Sequence, residues 1–161
     1  MPLSWSKEAV QILLSFLGSV GFAFLFDIRG YRLVLEGIGG ALGWGIYLFF
    51  CSLGFGIFWS LLAGTVGVAI FSELLARKLR TPVILLLVPM LIPMIPGGDL
   101  YYSMYYLISR DYEHLGTTAR LAASEAAAIA LGILVVSYLA GIVFRLRSGN
   151  QPGNREPGNR K

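Results

Sequence analysis

Three prolines, two glycines and an acid interrupt one of the most apolar stretches of the chain. Residues 86–107 read LLVPMLIPMIPGGDLYYSMYYL, and the interrupting residues are Pro89, Pro93, Pro96, Gly97, Gly98 and Asp99. Proline has no amide hydrogen and clashes with the carbonyl group four residues earlier. It also biases the residue before it away from the helical region. The spacing therefore predicts that no regular helix runs through all three prolines.

An irregular backbone segment inside a membrane is stable only in certain surroundings. Backbone groups freed by the break would each cost several kcal/mol if they faced lipid, so protein or water must surround them. Transporters use such discontinuous helices to bind substrate. One interpretation is therefore a broken helix that lines a substrate path, formed by Pro89, Pro93, Pro96, Gly97, Gly98, Asp99 and Tyr101. The alternative is a merely kinked helix, or an interfacial loop that leads into an amphipathic helix.

Three acids, Glu73, Asp99 and Glu125, are candidates for handling charge, and each has a structural alternative. Glu73 lies one turn before Arg77, which suits an i,i+4 pair at a helix end, a coupling proton or a substrate amine. Asp99 suits the N-cap of the next helix or the attraction of an ammonium group. Glu36 starts the second apolar segment, where an acid suits the positive helix end.

Glu125 lies within LAASEAAAIALG, whose small residues would allow another helix to approach closely. If the last crossing starts near Leu115, Glu125 is inside the membrane and faces protein or water. If it starts at Ala126, Glu125 is interfacial. Acids inside membranes are rare and by default indicate function.

The composition predicts an integral membrane protein. Of the 161 residues, 56% are hydrophobic and 14% are charged, against about 25% charged in soluble domains. No charge occurs within 9–26, 37–72, 81–98 or 126–144. A helix that crosses a ~30 Å hydrocarbon core needs about 20 mostly apolar residues. We expect an all-α fold with about five transmembrane helices, one of them short and broken by proline, plus an amphipathic helix.

The expected elements follow from the positions of these apolar runs. The first run is interpreted as a retained crossing and not a signal peptide, because no small-residue cleavage site follows it. The crossings are expected at 9–26, 33–50, 55–75, 82–96 and 115–144, with a turn at 51–54, an amphipathic helix at 99–109 and a polar loop at 110–114. Residues 1–144 then form the membrane module. Residues 145–161, which contain Pro-Gly-Asn-Arg twice, form a disordered basic tail.

The basic residues predict the orientation. With five crossings, one side holds ten basic residues and the other holds Lys7, Arg110 and Arg120. If the proline segment were re-entrant, the split would be seven against six. The positive-inside rule favours five crossings, with the N-terminus outside and the C-terminus in the cytoplasm.

Several other classes of function lack support in the sequence. His114 is the only histidine and has no second histidine or cysteine at ligand spacing, so no metal site is expected. No nucleophile motif, HExxH pattern or phosphate loop points to an enzyme or a cofactor. No basic stripe with interleaved aromatics points to nucleic acid.

The tyrosines of 101–112 suit an interfacial aromatic belt. Small residues four apart (39/43, 41/45, 63/67 and 128/132) favour close helix packing, within the chain or against a partner.

Two stretches resemble the threonine/serine exporter family. They are SELLARKLRTP (72–82) and VPMLIPMIPGGDLYYSMY (88–105), and GIGGALGWGIYLFF (37–50) resembles the family's glycine-rich second helix. The family pattern has an acid and a basic cluster, Thr-Pro, spaced prolines, glycine and tyrosine. The matching positions are Glu73, Arg77, Arg80, Thr81, Pro82, Pro89, Pro93, Pro96, Gly97 and Tyr101.

The resemblance is to the family's small membrane module, and it covers about residues 9–144. It implies a secondary exporter of small polar metabolites, such as threonine and serine, or of succinate as in some two-subunit relatives. It also implies a separately encoded partner subunit that carries the family's other module; a homo-oligomer is a further option. The rival hypothesis from another class is a non-transporting membrane scaffold for a partner protein.

Overall fold

The fold consists of helices that differ greatly in length. The structure, a computed structural model, describes residues 5–148, and side chains for 7–142. The described chain contains α1 (Trp5–Leu25), α2 (Tyr31–Ser52), α3 (Ile57–Leu79), α4 (Val83–Leu91), a 3-10 turn (Ile92–Met94), α5 (Gly97–Ile108) and α6 (Tyr112–Ser148), and no strand. Helices α1, α2, α3 and α6 are long and apolar enough to cross a membrane. The stretch from α4 to α5 bends by 61° and adds at most one further crossing, which confirms the all-helical membrane fold.

The expected boundaries agree with the helices to within a few residues. The hairpin between α2 and α3 turns at Gly54, whose φ of 87° is favourable only for glycine. Helix α3 ends in its basic cluster, with Arg80 in the left-handed conformation that closes helices. The expected tail begins within α6, which continues to Ser148, and the rest of that expectation lies on residues 149–161, outside the described residues.

The expected polar loop at 110–114 is wrong in its second half, because α6 begins at Tyr112. Asp111 explains the early start. Its Oδ1 accepts the backbone N–H of His114 at 3.3 Å, and its Oδ2 lies 2.8 Å from the His114 Nδ1. These contacts cap the helix and hold the pKa of Asp111 below its usual range.

The helix pairs define two ends of the molecule. Gly132 of α6 packs on Thr65 of α3, and farther along, Leu139 and Ala140 face Glu73 and Arg77. Helices α3 and α6 are therefore parallel. We call the end that carries the loops after α1 and α3, with Arg29, Arg32, Arg77, Lys78 and Arg80, the basic end, and the opposite one the far end. The stretch from α4 to α5 carries the chain from the basic end to the far end.

Glycines on α2 allow the other helices to pack closely against it. A Cβ atom at Gly39 would meet the side chain of Met90 on α4, and one at Gly43 would meet Val68 on α3. At Gly40 it would collide with the Ser19 hydroxyl on α1. Gly39, Gly40 and Gly43 thus pack within this chain, and α2 is the helix around which α1, α3 and α4 are arranged.

Gly40 and Gly45 on α2 form a matched pair for testing this packing. Gly40→Ala should force α1 away from α2 and cost about 1–3 kcal/mol, as overpacking does. Gly45→Ala should be neutral or slightly stabilising, because nothing lies within 4 Å of its added Cβ and alanine favours helix. Thermal unfolding of the purified protein in detergent measures both. Equal melting temperatures for the two variants would contradict the described contact of α1 with α2.

Candidate functional site

The backbone between α4 and α5 departs from helical geometry where the prolines are closest together. Pro89 is accommodated inside α4, but the helix ends at Leu91 and is followed by one 3-10 turn. Ile95, which precedes Pro96, is extended (φ −65°, ψ 132°), as expected before proline. Pro96 has no N–H for the Ile92 carbonyl, which instead accepts the N–H of Ile95 at 3.2 Å. The expectation that no regular helix passes through all three prolines is confirmed.

A cavity of 210 Å³ lies at this break. Helices α2, α3 and α6 enclose it together with the irregular segment from Pro93 to Asp99. The side chains contributed by these helices are Trp44, Tyr47, Ile57, Leu61 and Glu125. At 1.5 Å per residue, Tyr47 is about 24 Å along α2 from Tyr31 and about 8 Å from Ser52. The cavity therefore lies nearer the far end than the middle of the molecule.

Two carboxyl groups face each other in this cavity. The Asp99 and Glu125 side chains are close enough to interact by a hydrogen bond and by charge. The Tyr47 phenol is near both, and the Cys51 thiol is within hydrogen-bonding range of the phenol. Among the described residues that line the cavity, none is basic. Sequence reasoning proposed Asp99 and Glu125 separately, and the fold brings them together. Glu125 lies within the described helix and not at its start.

Asp99 is not the N-cap of α5, and that interpretation is wrong. The helix already begins at Gly97, with Pro96 in the capping position and Asp99 as the third helical residue. An acid in the first turn still suits the positive end of the helix. The backbone N–H groups of Gly98 and Asp99 have no hydrogen-bond partner among the described residues. The cavity is thus bordered by two carboxyl groups and by free N–H groups at the start of a helix.

The remaining residues of the expected path lie outside the cavity. Pro89 is buried in the core of the helix bundle. Tyr101 is 66% exposed and shares an exposed face of α5 with Met104, Tyr105 and Ile108. This face confirms the amphipathic pattern of α5. Pro93, Pro96, Gly97 and Gly98 do line the cavity.

Glu73 and Arg77 lie at the other end of the molecule. Arg77 Nη2 is 3.5 Å from Glu73 Oε2, which is the expected i,i+4 pair. Both residues line a separate cavity of 340 Å³ between α3 and α6, whose other walls are aliphatic. The fold therefore does not bring this pair together with Asp99 and Glu125.

Sequence reasoning missed the aromatic wall of the cavity. Trp44 Nε1 donates a hydrogen bond to Gln11 Oε1 of α1 at 3.2 Å. Trp44 and Pro93 also line a neighbouring cavity of 260 Å³ beside α1, so they separate the two spaces. The spacing of Trp44 and Tyr47, three residues apart on the glycine-rich helix, was the available signal.

Glu36 also lies where sequence reasoning did not place it. Helix α2 begins at Tyr31, so Glu36 is past the first turn and cannot serve the helix end. Its side chain is 0% exposed, and neither carboxyl oxygen has a hydrogen-bond partner among the described residues. The interpretation of Glu36 as a helix-end acid is therefore wrong.

The comparison with protein families covers the whole of this site. The family model described as Threonine/Serine exporter, ThrE, matches residues 11–139. The chain belongs to the threonine/serine exporter family. The matched range contains the glycine-rich α2, the broken segment, Asp99 and Glu125. No solved structure matches the chain. Membership in this exporter family, with the four long apolar helices, identifies a multi-pass transport protein of the plasma membrane.

Among the described residues, no group of three His, Cys, Asp or Glu side chains is placed to hold a metal ion.

Proposed function

We propose that this chain is the small membrane subunit of a secondary exporter that binds threonine or serine in the 210 Å³ cavity. The observation that carries the proposal is the facing pair of Asp99 and Glu125 beside the free N-terminal turn of α5. The substrate ammonium group would lie between the carboxyl groups, as charge-assisted hydrogen bonds favour. The substrate carboxylate would accept the free N–H groups of Gly98 and Asp99, since helix N-termini bind anions.

The size and charge of the cavity favour an amino acid over a dicarboxylate. Cavities for drug-sized ligands measure about 300–1,000 Å³, and this one measures 210 Å³, which suits a smaller solute. Succinate would bring two negative groups towards Asp99 and Glu125, with no basic side chain among the described lining residues to offset them. The Tyr47 phenol supplies a polar partner for a substrate hydroxyl group, and Trp44 closes the side of the cavity towards α1.

Transport would proceed by alternating access, driven by the proton gradient and assisted by a separately encoded partner subunit. The exposed face of α5, formed by Tyr101, Met104, Tyr105 and Ile108, supports a partner, because α5 packs mainly on α6 and leaves this face uncovered. A large exposed apolar face beside a site is typical of an interaction surface. The partner would complete the substrate path above the cavity at the far end.

Efflux of labelled threonine and serine tests this function. Cells that carry the chain and its partner should export both amino acids, and cells that lack either protein should not. Asp99→Asn and Glu125→Gln should each slow efflux about 10- to 100-fold, because a charge-assisted bond contributes about 1.5–3 kcal/mol. Pro93→Ala should also reduce efflux, because it changes a wall of the cavity. Glu113→Gln, which removes an exposed acid on the same helix as Glu125, is the matched control.

Equal membrane levels of all variants must be verified by immunoblot. Efflux that persists when this chain is deleted would contradict the exporter function and support the scaffold. Export of succinate in preference to threonine would contradict the proposed charge selection.

We also infer that the basic end faces the cytoplasm, which places the N-terminus outside and the C-terminus inside. The basic cluster of α3 and the loop after α1 lie at this end, and the positive-inside rule assigns it to the cytoplasm. In a Cys51→Ala background, the Leu53→Cys variant should react with an impermeant maleimide in intact cells. The Lys78→Cys variant should react only after the membrane is permeabilised. The reverse pattern would overturn the orientation.

A further inference from the structure

The buried carboxyl group of Glu36 has no role in the substrate site. It lies about 16 Å from Tyr47 along α2, at 1.5 Å per residue, and so belongs to the half of the bundle nearer the basic end. Its side chain is 0% exposed, with both oxygens partnerless among the described residues. An ionised carboxylate in such a place would cost several kcal/mol without a paired cation. A neutral carboxylic acid is the state compatible with this environment.

The groups that face Glu36 from its neighbouring helices are neutral. On α1, Ser19 packs against Gly40, one turn from Glu36, and its hydroxyl group is also partnerless. On α3, Gly64 and Val68 pack on Gly43. Two turns from this contact towards the basic end, Ser72 of α3 lies level with Glu36 of α2. On α4, the Met90 side chain packs on Gly39, Leu86 lies one turn nearer the basic end, and α4 carries no charge.

The nearest charged groups lie between Glu36 and the basic end. Arg32 is one turn earlier on α2, and Asp27 and Arg29 form an exposed ion pair in the loop after α1, with Arg29 Nη2 2.7 Å from Asp27 Oδ1. On α3, Glu73 and Arg77 are paired with each other and line the cavity towards α6. Helix α1 has no charged residue between Ala9 and Phe26. No charged side chain on these packed helices therefore neutralises Glu36 at its own level.

A cavity at the basic end comes within one helical turn of Glu36 without reaching it. A cavity of 330 Å³ is lined by Phe26, Asp27, Ile28, Arg29, Arg32, Thr81, Leu85 and Leu86. Arg32 precedes Glu36 by one helical turn, and Leu86 belongs both to this cavity wall and to the buried core. A small displacement of α4 from α2 at Leu86 would connect the carboxyl group with the cavity. At this interface the Met90 side chain of α4 packs directly on the backbone of α2 at Gly39.

We propose that Glu36 is the proton-carrying group that couples this exporter to the proton gradient, an inference that rests on the proposed function. The carboxylate takes a proton from water while the bundle is open towards the far end, and the neutral acid is then enclosed, as in this structure. When α4 separates from α2, the O–H bond breaks and the proton passes to water in the basic-end cavity. The resulting carboxylate faces Arg32. Only a proton is transferred, from one water to the carboxyl group and from it to another water.

Reconstituted vesicles that contain the chain and its partner separate coupling from substrate binding. Glu36→Gln has the shape of the neutral acid, so we expect it to exchange labelled threonine across the membrane at the wild-type rate without a gradient. It should lose the stimulation of net transport by a pH gradient. Glu36→Asp should restore part of that stimulation, and Glu113→Gln should leave both activities unchanged.

Three results would overturn the inference. Glu36→Gln could retain pH-driven transport, which would show that another group carries the proton. A sodium gradient could replace the pH gradient in the wild-type protein, which would show a different coupling ion. Folded Glu36→Gln could lose exchange as completely as driven transport, which would show a structural role.

Chemical modification gives a readout that does not require transport. A membrane-permeant carbodiimide reacts with protonated carboxyl groups, and mass spectrometry locates the product. In the wild-type protein we expect modification of Glu36 that falls as pH rises, and none at the exposed Asp27. If vesicles show no threonine transport but Glu36 is modified in this way, the proposed substrate is wrong and the protonation site stands. Unmodified Glu36 at every pH would overturn the inference whatever the transport assay shows.

Discussion

The lack of a hydrogen-bond donor at Pro93 and Pro96 is the constraint on which the rest of the structure depends. A helix cannot continue through both positions, and the free backbone groups that result cannot face lipid. Other helices must therefore surround the break. Helices α2, α3 and α6 do so, and the space that remains between them is the cavity. The same break exposes the first turn of α5, so the element that disrupts the helix also leaves free backbone N–H groups beside two acids.

Glycine on α2 allows this arrangement and divides the bundle into two polar regions. Met90 and Met94 of the broken segment pack on Gly39 and Gly43, where any side chain would collide with them. Towards the far end of these contacts lies the pair of Asp99 and Glu125. Towards the basic end lies Glu36, sealed from the basic-end cavity. Both regions border the segment from α4 to α5, so a movement of this one segment would change access to both. In the proposed mechanism, that common element would couple substrate release to proton movement.

Sequence reasoning located the elements better than their mutual contacts. The proline break and the turn at Gly54 depend on local backbone chemistry and could be predicted. The start of α6 was placed too late because the capping role of Asp111 depends on its contact with His114. The meeting of Asp99 with Glu125 depends on how α6 packs on α3 and α5. The burial of Glu36 depends on three other helices, so the sequence pattern of α2 alone does not predict it. Asp99, Glu125 and Glu36 could be recognised in the sequence as acids in or near apolar segments, but their neighbours depend on tertiary contacts.

A cryo-electron microscopy map of the chain with its partner, determined with and without threonine, would show where the substrate binds. We expect new density in the cavity between Trp44 and Glu125, with the amino group of threonine facing Asp99 and Glu125. The threonine carboxylate should lie against the first turn of α5. Threonine density elsewhere, such as in the aliphatic cavity between α3 and α6 beside Glu73, with the cavity at the break unchanged, would contradict the proposed site.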